Sequence, residues 1–149
     1  MKMDRDLSLK LQELYELKPK ECYDNMFKLL KEYEIEKQVI GYVKTTGVDL
    51  LIRHSWGIVD GVLVEGTLEP NKVEAVYPLI ELTIDDWADI VFNRDKVFTD
   101  LMDYDREAEV ELLYSLARDG VITEDIAMTS LLVNNPHVSE LLYNKKHSN

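Results

Sequence analysis

The chain is short of three things: it has one cysteine, three histidines, and 17 basic side chains against 29 acidic ones. Each shortage excludes something. A single thiol, Cys22, permits no internal disulfide, which fits a reducing cytoplasm and a free sulfur. A net charge of -12 argues against nucleic acid and anionic membrane, because both are bound through Lys and Arg that neutralise phosphate. No Arg/Lys cluster or aromatic platform offsets that charge. No apolar run is long enough to cross a bilayer, and Met1-Lys2-Met3-Asp4-Arg5-Asp6 lacks the apolar core of a signal peptide. The expected location is therefore the cytoplasm. His137 and His147 have no Cys or carboxylate at ligand spacing, and the Asp and Gly positions of a calcium loop are missing, so neither a metal nor another cofactor is expected.

What is present is ordinary for a globular domain: 149 residues, 46% hydrophobic and 31% charged. The charge is uneven. Residues 1–83 hold 15 acidic and 11 basic side chains, whereas residues 84–149 hold 14 and 6. An acidic second half suits a basic protein partner.

Leu7, Leu9, Leu11, Leu14 and Leu17 predict a first amphipathic helix ending near Lys18-Pro19. A second starts around Pro19 to Glu21 with an apolar stripe of Cys22, Met26, Leu29, Leu30 and Tyr33. Strands follow at Val39 to Lys44, Val48 to Val59, Val62 to Leu68 and Val73 to Thr83. Asp60-Gly61 is a tight hairpin turn, and Pro78 marks an edge or a bulge. Beyond Thr83 the pattern is helical: a capped turn with Trp87, Ile90 and Val91, then Arg106 to Arg118 stopped by Gly120, then Thr123 through Leu132. A short last helix follows Pro136. The fold class is α+β: a small antiparallel sheet packed on an N-terminal helix (1–83), followed by an acidic helical section (84–149) within one domain.

A two-residue loop pairs Val59 with Val62, so Trp56 faces Glu65 and His54 faces Thr67. His54, Trp56, Leu63, Glu65 and Thr67 then share one sheet face with Leu50, Ile52 and Ile58. A carboxylate among such residues needs a partner, and His54 is the nearest candidate, a diagonal neighbour. Cys22, at a helix start, supplies a thiol that the helix dipole and an imidazolium both favour as thiolate. Thiol, imidazole and carboxylate are the parts of a cysteine nucleophile site. Trp56 would wall its pocket, with Tyr23 and Thr67 as further substrate-pocket candidates.

The segments Glu21-Cys22-Tyr23-Asp24-Asn25, His54-Ser55-Trp56 and Val64-Glu65-Gly66-Thr67 resemble the transglutaminase-like branch of papain-type cysteine enzymes. There a helix-borne Cys is followed by a strand reading His-Ala-Trp and a next strand reading Asp-Pro-Thr. The resemblance covers Cys22 to Leu68. It implies a nucleophile at Cys22, an acid/base at His54 and an orienting acid at Glu65, acting in amide cleavage, deamidation or crosslinking of a protein or peptide. Glu65 stands for the family Asp, Gly66 for Pro and Ser55 for Ala, and residues 84–149 have no counterpart.

The plainer readings compete with this one. Cys22 lies on an apolar stripe and reads equally as a small core side chain. His54 reads as a satisfied core histidine, Glu65 as a solvated edge residue, and both tryptophans as core. The acidic run Asp100, Asp103, Asp105, Glu107, Glu109 and Glu111 reads as a solvated helix flank. The alternative to an enzyme is a non-catalytic acidic interaction or inhibitor protein that retains a degenerate transglutaminase-like core.

Overall fold

Asp4 starts the first helix: its carboxylate accepts the Leu7 N–H at 2.9 Å, and α1 runs Arg5–Leu14. The computed structural model describes residues 2–90, 92 and 106–135. In chain order, α1 is followed by α2 (Cys22–Glu32), β1 (Lys37–Thr45), β2 (Ile52–Val59), β3 (Val62–Val64) and a single 3-10 turn. Then come β4 (Val73–Leu82), α3 (Ile84–Asp89), α4 (Arg106–Arg118) and α5 (Glu124–Asn134). Val91, Asp100, Asp103, Asp105, the segment after Pro136, His137 and His147 lie outside the described residues.

The fold is α+β, with one antiparallel sheet in the order β3-β2-β1-β4. Asp60 and Gly61 both have positive φ, so the hairpin turn pairs Val59 with Val62 as its two residues require. The register against β1 slips between Ile40↔Ile80 and Gly41↔Pro78, so Pro78 sits at a bulge on an edge strand. Gly41 permits this close approach, since a Cβ there would stand 2.2 Å from the Tyr77 carbonyl oxygen and 3.0 Å from the Trp56 ring.

Two strands are shorter than their hydrophobic patterns predict, and in each case a helix takes over the backbone bonds. β2 begins at Ile52, not Val48. Before it, the Leu51 N–H donates to Ser130 Oγ (3.0 Å) and the Leu51 carbonyl accepts from the Asn134 amide (2.9 Å) of α5. β3 ends at Val64, not Leu68. Beyond it, the Glu65 N–H donates to Ser8 Oγ (2.8 Å), and the Glu65 and Leu68 carbonyls each accept from Gln12 Nε2 (3.0 Å) of α1.

One side of the sheet carries the larger core. Met26, Leu29 and Leu30 of α2 meet Ile40, Tyr42 and Leu51, and Trp87, Leu113 and Leu131 of the C-terminal helices join them. The α3 turn is held by a capping box between Thr83 and Asp86, and Trp87 Nε1 donates to the buried Gln38 Oε1 at 2.8 Å. The other side carries a smaller core of Met3, Val39, Val43, Trp56, Leu63 and Val73. Ile52, placed on that apolar face by its alternation, is 38% exposed at the strand start.

Glu109 departs most from its expected role as a solvated flank residue: it is 0% exposed. Arg53 Nη2 and Nε donate to its two oxygens at 2.6 and 3.2 Å, Asn135 Nδ2 donates at 2.8 Å, and the Tyr42 hydroxyl donates to it as well. Alternate residues of a charged helix face different ways, and this one turns inward onto Arg53. Burial and the Glu109 charge keep the Tyr42 phenol protonated far above its usual range. Burial opposes the Arg53 charge, but the Glu109 carboxylate outweighs it and raises the guanidinium pKa. The ion pair clamps α4 to the sheet. Replacing one partner leaves the other charge buried and alone. Urea unfolding of Glu109→Gln or Arg53→Met should therefore show a loss of about 3–5 kcal/mol, with the doubly apolar Arg53→Met/Glu109→Leu chain losing less.

Candidate active site

Cys22 opens α2, where the first-turn N–H groups have no partner within the helix and the dipole is positive. The N-cap, Glu21, makes no side-chain cap, and its carbonyl accepts the Asn25 N–H at 2.8 Å. The thiol is partly exposed. It lies near enough to the imidazole of His54, which β2 holds opposite Gly41, to influence its charge. The strand end at Val64 makes this meeting possible. Beyond the Gly57↔Val64 pair the β3 side of β2 is open, and the carboxylate loop and the α2 N-terminus come together beside it.

Glu65 lies in that loop and is 1% exposed. His54 Nε2 sits 2.7 Å from one carboxylate oxygen and 2.8 Å from the other. Oε1 also accepts the backbone N–H of Thr67 (3.1 Å) and Leu68 (2.9 Å). The buried charge is thus held by one imidazole and two amides. With Nε2 engaged, Nδ1 is the ring nitrogen left for the thiol. Trp56 stacks against the imidazole, with centroids 6.3 Å apart and planes 27° apart.

Burial alone would drive His54 toward neutrality. The neighbouring Cys22 and the hydrogen-bonded Glu65 carboxylate together override burial and raise its pKa from 6.5 to about 9. The imidazole is therefore a cation at neutral pH, placed between a sulfur and a carboxylate.

Of the residues singled out from sequence, the structure brings Cys22, His54 and Glu65 together. Trp56 touches the group through His54. Trp56 is itself buried, and it contributes to the lining of an open cleft of about 470 Å³ between β3 and β4, with Val39, Ile58, Leu63 and Pro78. Thr67 contributes its backbone N–H to Glu65, and its hydroxyl accepts from Asn25 Nδ2 at 2.7 Å, so it supports the carboxylate loop. The Tyr23 ring packs against the larger core. Among the described residues no group of three or more His, Cys, Asp and Glu converges as a metal site, and no helix is long and apolar enough to cross a membrane.

Ser8, Gln12 and Asn25 were not singled out from sequence. Ser8 and Gln12 are four apart on α1, interleaved with leucines that dominate the pattern. Asn25 did carry a usable signal, a polar residue one turn from Cys22 that is only 4% exposed.

A raised imidazole pKa ties stability to pH. The folded value of about 9 lies above the unfolded 6.5, so the stabilisation is complete below pH 6.5 and disappears as pH rises through 9. Denaturant melts of the native chain and Glu65→Gln should differ most below pH 6.5, by a few kcal/mol, and converge near pH 10. Comparison of the chain with protein-family models, with curated proteins and with solved structures gives no match, so the functional reading rests on this geometry.

Proposed function

We propose that the protein is a cysteine-dependent acyl hydrolase or acyl transferase acting on amide or ester groups of a protein or peptide. The observation that carries this reading is the continuous chain from a helix-start thiol to an imidazole to a buried carboxylate. The imidazole is gripped at Nε2 by both oxygens of Glu65, with Cys22 near it.

A protonated imidazole beside a sulfur favours the thiolate, the form that attacks carbonyl carbon. The Cys22 sulfur forms a C–S bond and the carbonyl oxygen becomes an oxyanion. The N–H groups at the start of α2, beside Cys22, are the donors that would hold this charge. His54, a cation below about pH 9, gives its proton to the leaving nitrogen or oxygen as that bond breaks, which leaves a thioester and a neutral ring. The neutral imidazole then takes a proton from water or an amine as it attacks the thioester, and the thiolate is regenerated. Glu65 holds the ring in the tautomer and direction both steps need. This mechanism accords with the transglutaminase-like resemblance of the three segments and with a cytoplasmic setting that keeps the thiol reduced.

A second reading, an acidic binding protein for a basic partner, is favoured by the net charge of -12 and its concentration in residues 84–149. It requires nothing of the thiol.

Two measurements separate these readings. Iodoacetamide labelling at pH 6.5 should be slower in His54→Ala than in the native chain by about tenfold or more. Incubation with 4-nitrophenyl acetate should leave one acetyl group on Cys22, visible by intact mass and absent from Cys22→Ser. Labelling indifferent to His54, together with no acyl adduct, would remove the enzymatic reading.

A further inference from the structure

We infer that Asn25 is a positioning residue of this site, joining the helix turn that carries the thiol to the loop that carries the carboxylate. The inference rests on the catalytic reading above. Asn25 is one turn beyond Cys22 on α2, so the two side chains lie on the same face of the helix. Its amide is buried, and every polar atom of it is used. Oδ1 accepts the Lys18 N–H at 3.0 Å, and Nδ2 donates to the Lys18 carbonyl at 2.8 Å and to Thr67 Oγ1 at 2.7 Å, with the Gly66 carbonyl 3.2 Å away.

These bonds close a ring. Asn25 holds Thr67; the Thr67 N–H is on Glu65 Oε1; Glu65 holds His54 Nε2; His54 meets Cys22; and the first turn of α2 leads back to Asn25. Asn25 supplies hydrogen bonds from the helix start to the carboxylate loop, where Gly66 otherwise only packs against Met26. An amide fits this position for a physical reason. It must both accept from Lys18 and donate to Thr67, which neither a carboxylate nor an apolar side chain of similar size can do. Leaving the Thr67 hydroxyl and the Gly66 carbonyl unpaired would also release the loop that orients Glu65.

The test uses the full chain and the pH dependence of Cys22 alkylation by iodoacetamide, a readout that a purely structural role would not move. Circular dichroism confirms folding at the assay temperature. Asn25→Ala and Thr67→Val remove the same bond from its two ends, so either one carries the test if the other fails to fold. Both should slow alkylation at pH 7 by about 10- to 100-fold, the scale of a small misplacement of reacting groups. Both should also lower the His54 titration midpoint, followed by NMR, from about 9 toward 6.5. Thr67→Ser keeps the hydroxyl and should rescue the profile lost in Thr67→Val. Folded Asn25→Ala and Thr67→Val chains with native profiles, beside a His54→Ala chain whose profile is changed, would overturn the positioning role alone. If His54→Ala also keeps the native profile, the catalytic reading falls, and this inference with it.

Discussion

A carboxylate with no exposure to water is the constraint around which the N-terminal half is organised. Taking an ionised Glu65 out of water costs several kcal/mol even after relaxation, and the fold must return that through contacts. It does so with an imidazole on both oxygens and two successive backbone N–H groups on one of them. Those amides can reach the side chain only if the chain leaves the sheet at Glu65 and turns back, which is why β3 has three residues. The backbone bonds a longer strand would have made go to Ser8 and Gln12. The length of one strand, the polar residues on α1 and the opening beside His54 therefore share one cause.

The same device appears on the opposite face of β2. Arg53 and His54 are adjacent, so their side chains leave the strand on opposite sides. Each meets a buried carboxylate, Glu109 on the side of the helices and Glu65 on the other. The strand that bears the imidazole is thus fixed from both faces by charge pairs that tolerate little displacement. The Asn134 amide fixes its leading end further by accepting the Arg53 N–H at 3.0 Å. In this arrangement the described C-terminal helices act on the site through the strand from which His54 projects.

Much of this was legible in the sequence, for identifiable reasons. Asp60-Gly61 determined the hairpin register because only a two-residue loop with positive φ suits that dipeptide. That register predicts His54 and Glu65 as diagonal neighbours, and they do meet, although Glu65 lies beyond the strand end. The Met26, Leu29 and Leu30 stripe located the helix that carries Cys22. Legibility failed where tertiary bonds replaced local ones. Val48 to Leu51 and Glu65 to Leu68 have strand patterns, but side chains distant in sequence took their backbone groups. Glu109 was misread for a related reason, since composition alone cannot tell an acidic residue that faces solvent from one that faces a buried arginine. The cost of burying it is met by Arg53, 56 residues away in sequence.

The reach of Glu65 follows from the same physics. A glutamate carries one methylene more than an aspartate, and on a regular strand Glu65 would face Trp56 and lie only diagonal to His54. Glu65 is not on a regular strand. Its backbone has already turned toward α1, and the added length lets the carboxylate fold back to meet the imidazole and the amides of Thr67 and Leu68 together. Gly66 fits the same turn. A Cβ at this position would run to 2.2 Å from the Met26 methyl and 3.2 Å from Leu17, so a bulkier residue would push the loop away from α2 and from Asn25. Glu65 and Gly66 act together: the long acid needs a loop that turns early, and the glycine lets that loop lie against the helix carrying the thiol.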